Sequence, residues 1–241
     1  MSTLAVVTGA SRGIGAALVA AASADGATVA TTSRSPLPGD HHLVIDIADP
    51  GQWPALGPWL DRTIAAAEPQ RLVFVHNAAT LDPIGYVGEV DPGAYAANVL
   101  VNSAAAQVIG DAAVRAANTA DLEAVIVQLS SGVGKVPYAG FSSYGAAKAG
   151  IDMWCRVVGL EQEHRGGRIR VLSIAPGVVA TDMQAEIRRS RVEDFPEVER
   201  FRAMHADGLL DDPGSVGARL WAYATTGDWA NGAVADLREL A

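Results

Sequence analysis

The run Leu4-Ala5-Val6-Val7-Thr8-Gly9-Ala10-Ser11-Arg12-Gly13-Ile14-Gly15-Ala16-Ala17-Leu18 decides the fold. Apolar residues of strand type enter a glycine-rich turn, and an alanine-rich helix leaves it. Gly9, Gly13 and Gly15 let the chain turn tightly and let its backbone approach a pyrophosphate closely. The helix behind them offers free N–H groups and the positive end of its dipole. The spacing is Gly-x-x-x-Gly-x-Gly rather than the general Gly-x-Gly-x-x-Gly. Gly9, Ser11, Arg12, Gly13, Ile14 and Gly15 together read as a phosphate-binding loop.

Outward from this loop, strand-like runs recur at Leu4–Thr8, Thr28–Thr32, His42–Ile45, Leu72–Val75, Ala124–Leu129, Ile169–Ile174 and Ala233–Ala235. Helical segments separate them. Near-continuous apolar strands alternating with helices predict an α/β fold: a three-layer, doubly wound parallel sheet of about seven strands, Rossmann-like. Asp49-Pro50, Asp91-Pro92 and Asp212-Pro213 each place a capping carboxylate before a proline that opens a helix. Gly26 suits the C-terminal cap of the first helix. The 241 residues fit one domain over 1–241, without internal repeat or composition break.

The second strand ends at Arg34, and no Asp or Glu lies between Gly26 and Gly39. An acidic residue here would bind a ribose 2′-OH, whereas an arginine accommodates a 2′-phosphate. Arg34, with Arg12 as a second candidate, therefore points to NADP(H) over NAD(H).

A second constellation is Ser130-Ser131-Gly132 followed by Ser143-Tyr144-Gly145-Ala146-Ala147-Lys148. Tyr144 and Lys148 are four apart, so on a helix they share one face. An ammonium held beside a phenol lowers the phenol pKa from its usual value near 10. Such a tyrosine exchanges a proton near neutral pH. Ser131 follows an apolar strand and can hydrogen-bond a carbonyl oxygen from the other side.

With both motifs in view, the chain resembles the short-chain dehydrogenase/reductase family from Ala5 to about Val234. The likeness rests on Thr8 to Gly15, His76-Asn77-Ala78-Ala79, Asn98, Ser131, Tyr144, Lys148 and Pro176-Gly177-Val178-Val179-Ala180-Thr181. Tyr144 to Arg202 is similar to the sepiapterin-reductase-like branch, and in particular to bacterial benzil reductases. The resemblance implies reduction of a ketone by NADPH, with Tyr144 as proton donor, Ser131 as hydrogen-bond donor, and Lys148 reaching the nicotinamide ribose. It implies that Asn98 holds a water next to Lys148, with Asn102 as the rival position. It implies that Asp46 contacts the adenine, that Asn77 and Ala78 line the cofactor, and that Pro176, Gly177, Val179 and Thr181 hold the nicotinamide. His76 stands where the family has Asn, and is read as structural. An aromatic α-diketone is the leading substrate class. Thioester, steroid or pterin ketones, and an NADP(H)-binding protein without activity, are the alternatives.

A helical segment around 182–210, charged with mixed signs, is expected to cap the substrate site as a mobile lid. Tyr138, Phe141, Trp154, Met183, Tyr86 and Phe201 are candidate apolar walls, Trp154 being the better fit to core or interface. The net charge of −9 disfavours nucleic acid and anionic membrane as partners. Pro92 to Gly110 carries no charge but holds four polar side chains, so it reads as a buried, interface-facing helix. This helix and the one after Ser142 imply a homodimer or homotetramer by the resemblance. Lone Cys155 excludes an intrachain disulfide and suits a reducing cytoplasm. His41 and His42 lack neighbours at metal-ligand spacing, so no metal is expected.

Overall fold

The computed structural model describes residues 1–240. Seven strands form one parallel sheet: β1 (Thr3–Thr8), β2 (Thr28–Ser33), β3 (His42–Val44), β4 (Arg71–His76), β5 (Glu123–Leu129), β6 (Ile169–Ala175) and β7 (Ala233–Asp236). Their order is β3-β2-β1-β4-β5-β6-β7. All seven expected runs are strands; six gain a residue or two at their ends, and β3 stops one residue short of the expected Ile45. Alternation explains the unbroken apolar runs. Leu4, Val6, Leu72, Phe74, Ala124 and Ile126 face one layer, and Ala5, Val7, Val73, Val75, Val125 and Val127 the other. Both faces are dry, so both sets must be apolar.

The first layer holds α2 (Leu56–Ala67), α4 (Ala106–Thr119) and α5 (Ser142–His164), and the second α1 (Gly13–Ala24) and α8 (Pro213–Thr226). α3 (Pro92–Val99) runs into α4 through a π-helical turn, Leu100–Ala105. The strand order reverses between β1 and β4, the place where doubly wound sheets bind ligands beyond their strand ends.

Local chemistry sets the element ends. Asp91 accepts the Ala94 N–H at 2.8 Å, and Asp212 accepts the Ser215 N–H at 2.9 Å. Asp49 also caps, accepting from Gly51 at 2.9 Å. It opens a 3₁₀ stretch, Pro50–Ala55, because Pro54 has no N–H for an α-helical bond. α2 therefore starts only at Leu56. Gly26, at φ +80°, closes α1, with the N–H groups of Gly26 and Ala27 returning to Ser23 and Ala22.

The capping segment is a helical pair, α6 (Asp182–Arg189) and α7 (Val198–Ala206). Its outer face is charged, as expected, but its underside is apolar. Phe195, Val198 and Phe201 are buried against Leu81, Phe141 and Tyr144. Among the described residues, no helix is long and apolar enough to cross a membrane.

Candidate active site

The glycine loop is a cradle that side chains would fill. Gly9 and Gly13 sit at φ +65° and +55°, in the region that favours glycine. A Cβ at Gly15 would overlap the Gly9 carbonyl. Asn77, just past β4, staples the loop. Its Nδ2 donates to the carbonyls of Thr8 at 3.1 Å and Gly9 at 3.0 Å. In return Thr8 Oγ1 accepts the N–H groups of Asn77 at 3.0 Å and Ala78 at 3.1 Å. Arg12 precedes α1 in extended geometry without capping it, and Ser11 and Arg12 are exposed. The first N–H groups of α1, behind Ile14, are thus left without a side-chain cap.

The loop after β6 comes over this cradle. Thr181 lies against Gly13 and caps α6 by accepting the Gln184 N–H at 3.4 Å. Arg12 Nη1 reaches Asp182 at 2.8 Å. Gly177 has φ +90°, with Arg238 packed where a Cβ would stand. Pro176 is half-buried and Val179 buried. Arg34 stands exposed directly after β2. Half-buried Asp46 accepts the Ala48 N–H at 3.0 Å, so that carboxylate closes its own turn after β3.

Ser131 follows β5 and caps the short turn Gly132–Gly134. Tyr144 and Lys148 share one face of α5, with Nζ 5.5 Å from the phenol ring centroid. Both side chains are buried. Lys148 Nζ donates to the Leu129 carbonyl at 2.7 Å. Burial pushes the Lys148 ammonium down to about 8, opposed by the Asp152 carboxylate one turn on. The phenol moves opposite to the sequence expectation. Burial pushes Tyr144 up to about 12, with the neighbouring Ser131 hydroxyl pulling the other way. The ammonium lies over the ring and spends a donor on a carbonyl, so desolvation wins. Tyr144 therefore keeps its proton throughout the neutral range.

Asn98 anchors the loop after β4. Its fully buried amide donates to the carbonyls of Leu81 at 3.0 Å and Asp82 at 2.7 Å. Its Oδ1 accepts from Asn102 Nδ2 at 3.0 Å, and Asn102 also bonds both backbone groups of Thr80. Both asparagines tie down the loop after β4, and among the described residues neither side chain hydrogen-bonds Lys148.

Around Tyr144 stands an aromatic cluster. Phe141 stacks on Phe195 at 4.4 Å and 9°, and meets the Tyr144 ring edge-on at 6.3 Å. Tyr138, Phe201 and Met183 complete it. Tyr86 is exposed and outside the cluster, while Trp154, farther along α5, packs beside Gly110 against α4. Sequence reading missed Phe195 and Asp152. An aromatic residue inside the charged run Arg191 to Arg202, six before Phe201, was the available signal for Phe195. Asp152 is buried and accepts the Ser173 hydroxyl at 2.6 Å. No such signal marked it.

The family model described as short chain dehydrogenase matches residues 3–192. A benzil reductase ((S)-benzoin forming) of Bacillus subtilis (strain 168) is 30% identical, over 97% of this chain and 98% of that protein. Sepiapterin reductase of Rattus norvegicus is 27% identical, over 98% of this chain and 96% of that protein. The crystal structure of the KRED1-Pglu enzyme superposes with a TM-score of 0.83 at 26% identity, over 97% of this chain and 100% of that one. The chain thus belongs to the short-chain dehydrogenase/reductase family, whose members bind a nicotinamide cofactor, and is an oxidoreductase acting on the CH–OH/C=O couple.

Proposed function

We propose that this oxidoreductase uses NADPH to reduce an aromatic α-diketone of the benzil kind to an α-hydroxy ketone. The observation that carries this reading is a protonated, buried phenol beside a buried ammonium, walled by aromatic side chains. The benzil reductase relative, similar over almost its whole length, supports the same substrate class.

The glycine loop fits the pyrophosphate, with Ser11, Arg12, Gly13, Ile14 and Gly15 at the α1 terminus and Gly9, Asn77 and Ala78 along the seam. Pro176, Gly177, Val179 and Thr181 would hold the nicotinamide end, and Asp46 the adenine end. When bound, the reduced nicotinamide supplies the hydride. Tyr144 donates its proton to the carbonyl oxygen on which charge develops, and Ser131 donates a hydrogen bond to that oxygen. Lys148, fixed by Leu129, turns a remaining donor toward the ribose and holds positive charge behind the phenol. Asn98 acts at one remove, by fixing the loop that borders the site.

Lys148 carries its charge below about pH 8 and sheds it above, while Tyr144 stays protonated to about 12. Ketone turnover should therefore fall as pH rises through about 8, and Lys148→Met should erase that limb. A flat rate between pH 7 and 10 in the parent enzyme would count against it. Arg34→Asp should weaken NADPH far more than NADH, because a carboxylate repels the 2′-phosphate. An unchanged cofactor ratio would remove Arg34 from that role. Val99, Val108, Met153, Val157 and Leu160 are exposed on the helices that border the first layer. Copies of the chain pair through them in this reading, so Leu160→Glu should shift sedimentation toward monomer; an unshifted assembly would place the interface elsewhere.

Initial rates on benzil, a pterin diketone and a 3-oxoacyl thioester, each with NADPH and with NADH, test the whole proposal. Benzil with NADPH should be the preferred pair. No turnover of benzil, alongside turnover of the thioester, would refute the substrate class.

A further inference from the structure

One row of side chains on the α4/α5 face of the sheet is polar. Thr8, His76, Gln128 and Ser173 are all buried, on neighbouring strands at the site end. His76 pairs with Gln128 in register. Hydrogen bonding at Thr8 fixes the imidazole tautomer. Thr8 Oγ1 already accepts two N–H groups, from Asn77 and Ala78, which fills both its lone pairs. Its own proton must then go to His76 Nδ1, 3.0 Å away. Burial and the charge of Lys148 push the imidazole down to about 3, so the ring is neutral. A neutral ring that accepts at Nδ1 carries its proton on Nε2.

His76 thus presents a buried Nε2–H donor, and among the described residues no protein group accepts it. On the next strand, Gln128 Nε2 donates to the Ala106 carbonyl at 3.0 Å. That leaves Gln128 Oε1 as a buried acceptor, also without a protein partner. The two side chains start from paired positions on neighbouring parallel strands, which lie about 5 Å apart. Two sealed polar atoms of opposite role are costly unless something joins them. Water is the group of the right size, since it takes both roles at once.

We infer that His76 and Gln128 hold one buried water beneath Lys148, and that His76 is thereby a positioning residue for that lysine. The water accepts from Nε2–H and donates to Oε1. Its second lone pair accepts from Lys148 Nζ, whose bond to the Leu129 carbonyl already sets it beside β5, one residue beyond Gln128. The ammonium is held on its sheet side by one carbonyl and one water, and its third donor is left for the catalytic edge. A neutral His76 adds no second charge. The other titratable groups facing the ammonium are Tyr144 and Asp152, on its own helix.

The tautomer and the water stand on packing alone, whereas the effect on turnover rests on the role given to Lys148 above. Nitrogen-15 NMR of the intact protein should find His76 bare at Nδ1 and protonated at Nε2 between pH 6 and 8. A crystal structure at water-resolving resolution should place one water within hydrogen-bond distance of Nε2 and Oε1. An Nδ1–H tautomer, or no shared water, overturns the inference whatever the enzyme reduces. His76→Met removes the donor at similar bulk, and should cut turnover about tenfold and move the high-pH limb to lower pH. His76→Gln keeps an N–H donor and should restore most of both. A limb that stays put in His76→Met refutes the positioning role, even if the variant melts earlier. Should benzil prove no substrate while the water and tautomer are found, the proposed reaction fails and the water site stands.

Discussion

Tyr144→Phe is expected to lower ketone turnover by about 10²–10⁴-fold while NADPH binding changes little, the usual range for loss of a positioned acid. The argument runs from burial to chemistry. The phenol is sealed by Phe141 and the cap, and desolvation pushes it up to about 12. At neutral pH it is fully protonated, and it becomes a useful acid only where a developing oxyanion needs a proton. Phenylalanine keeps the ring, so the contacts to Phe141 and the Lys148 ammonium survive. The phenol oxygen alone is lost. The measurement is kcat beside a fluorescence titration of NADPH. A variant with parental kcat would remove Tyr144 from the acid role, and one that fails to bind NADPH would mean that it holds the cofactor instead.

Phe195→Ala is expected to loosen the cap over the site, by about 3–5 kcal/mol if the cavity does not collapse. Phe195 has no exposed surface and lies flat against Phe141. It also packs at 5.5 Å against Phe201 of α7. Val198 and Phe201 add apolar contacts beneath the segment, but its polar ties are weaker. Arg12–Asp182 is exposed on both sides, and exposed ion pairs contribute about 0–1 kcal/mol. The Glu186 carboxyl on α6 is raised to about 7, chiefly by burial and next by the Asp82 side chain opposite it. Loss of the ring should therefore appear as local opening. Amide hydrogen exchange in α6 and α7 should accelerate by about 10²–10³-fold, and KM for the ketone should rise, while exchange in β4 and β5 stays slow. Unchanged exchange across 182–206 would show that the cap is secured by something other than this stack.

Much of this architecture was legible before any coordinates. The seven strands announce themselves because both sheet faces are dry, so each strand is apolar without interruption. The Asp-Pro pairs mark helix starts for a reason that survives in the fold: a carboxylate accepts the orphan N–H groups and the proline has none to lose. The ends of β1, β4 and β5 gather Gly9, Asn77 and Ser131 because the topology leaves them no other edge. What sequence could not supply is three-dimensional desolvation. A lysine four residues from a tyrosine suggests a lowered phenol, yet the phenol rises, because its surroundings are Phe141, Phe195 and Leu81 rather than water. The bonds of the Asn98 amide to the loop after β4 were likewise invisible in the sequence. The apolar underside of the cap was masked by the arginines and glutamates on its outer face. His76 could be read only as a departure from the family pattern until Thr8 and Gln128 were seen beside it.

The most direct test of the reaction is the isotopic content of the product. Benzil incubated with enzyme and NADPH carrying deuterium at the transferable C4 position should give benzoin with one deuterium on its carbinol carbon. The hydroxyl proton should come from solvent by way of Tyr144. Benzoin without deuterium, or cofactor that stays reduced in the presence of benzil, would contradict hydride transfer to a ketone at this site.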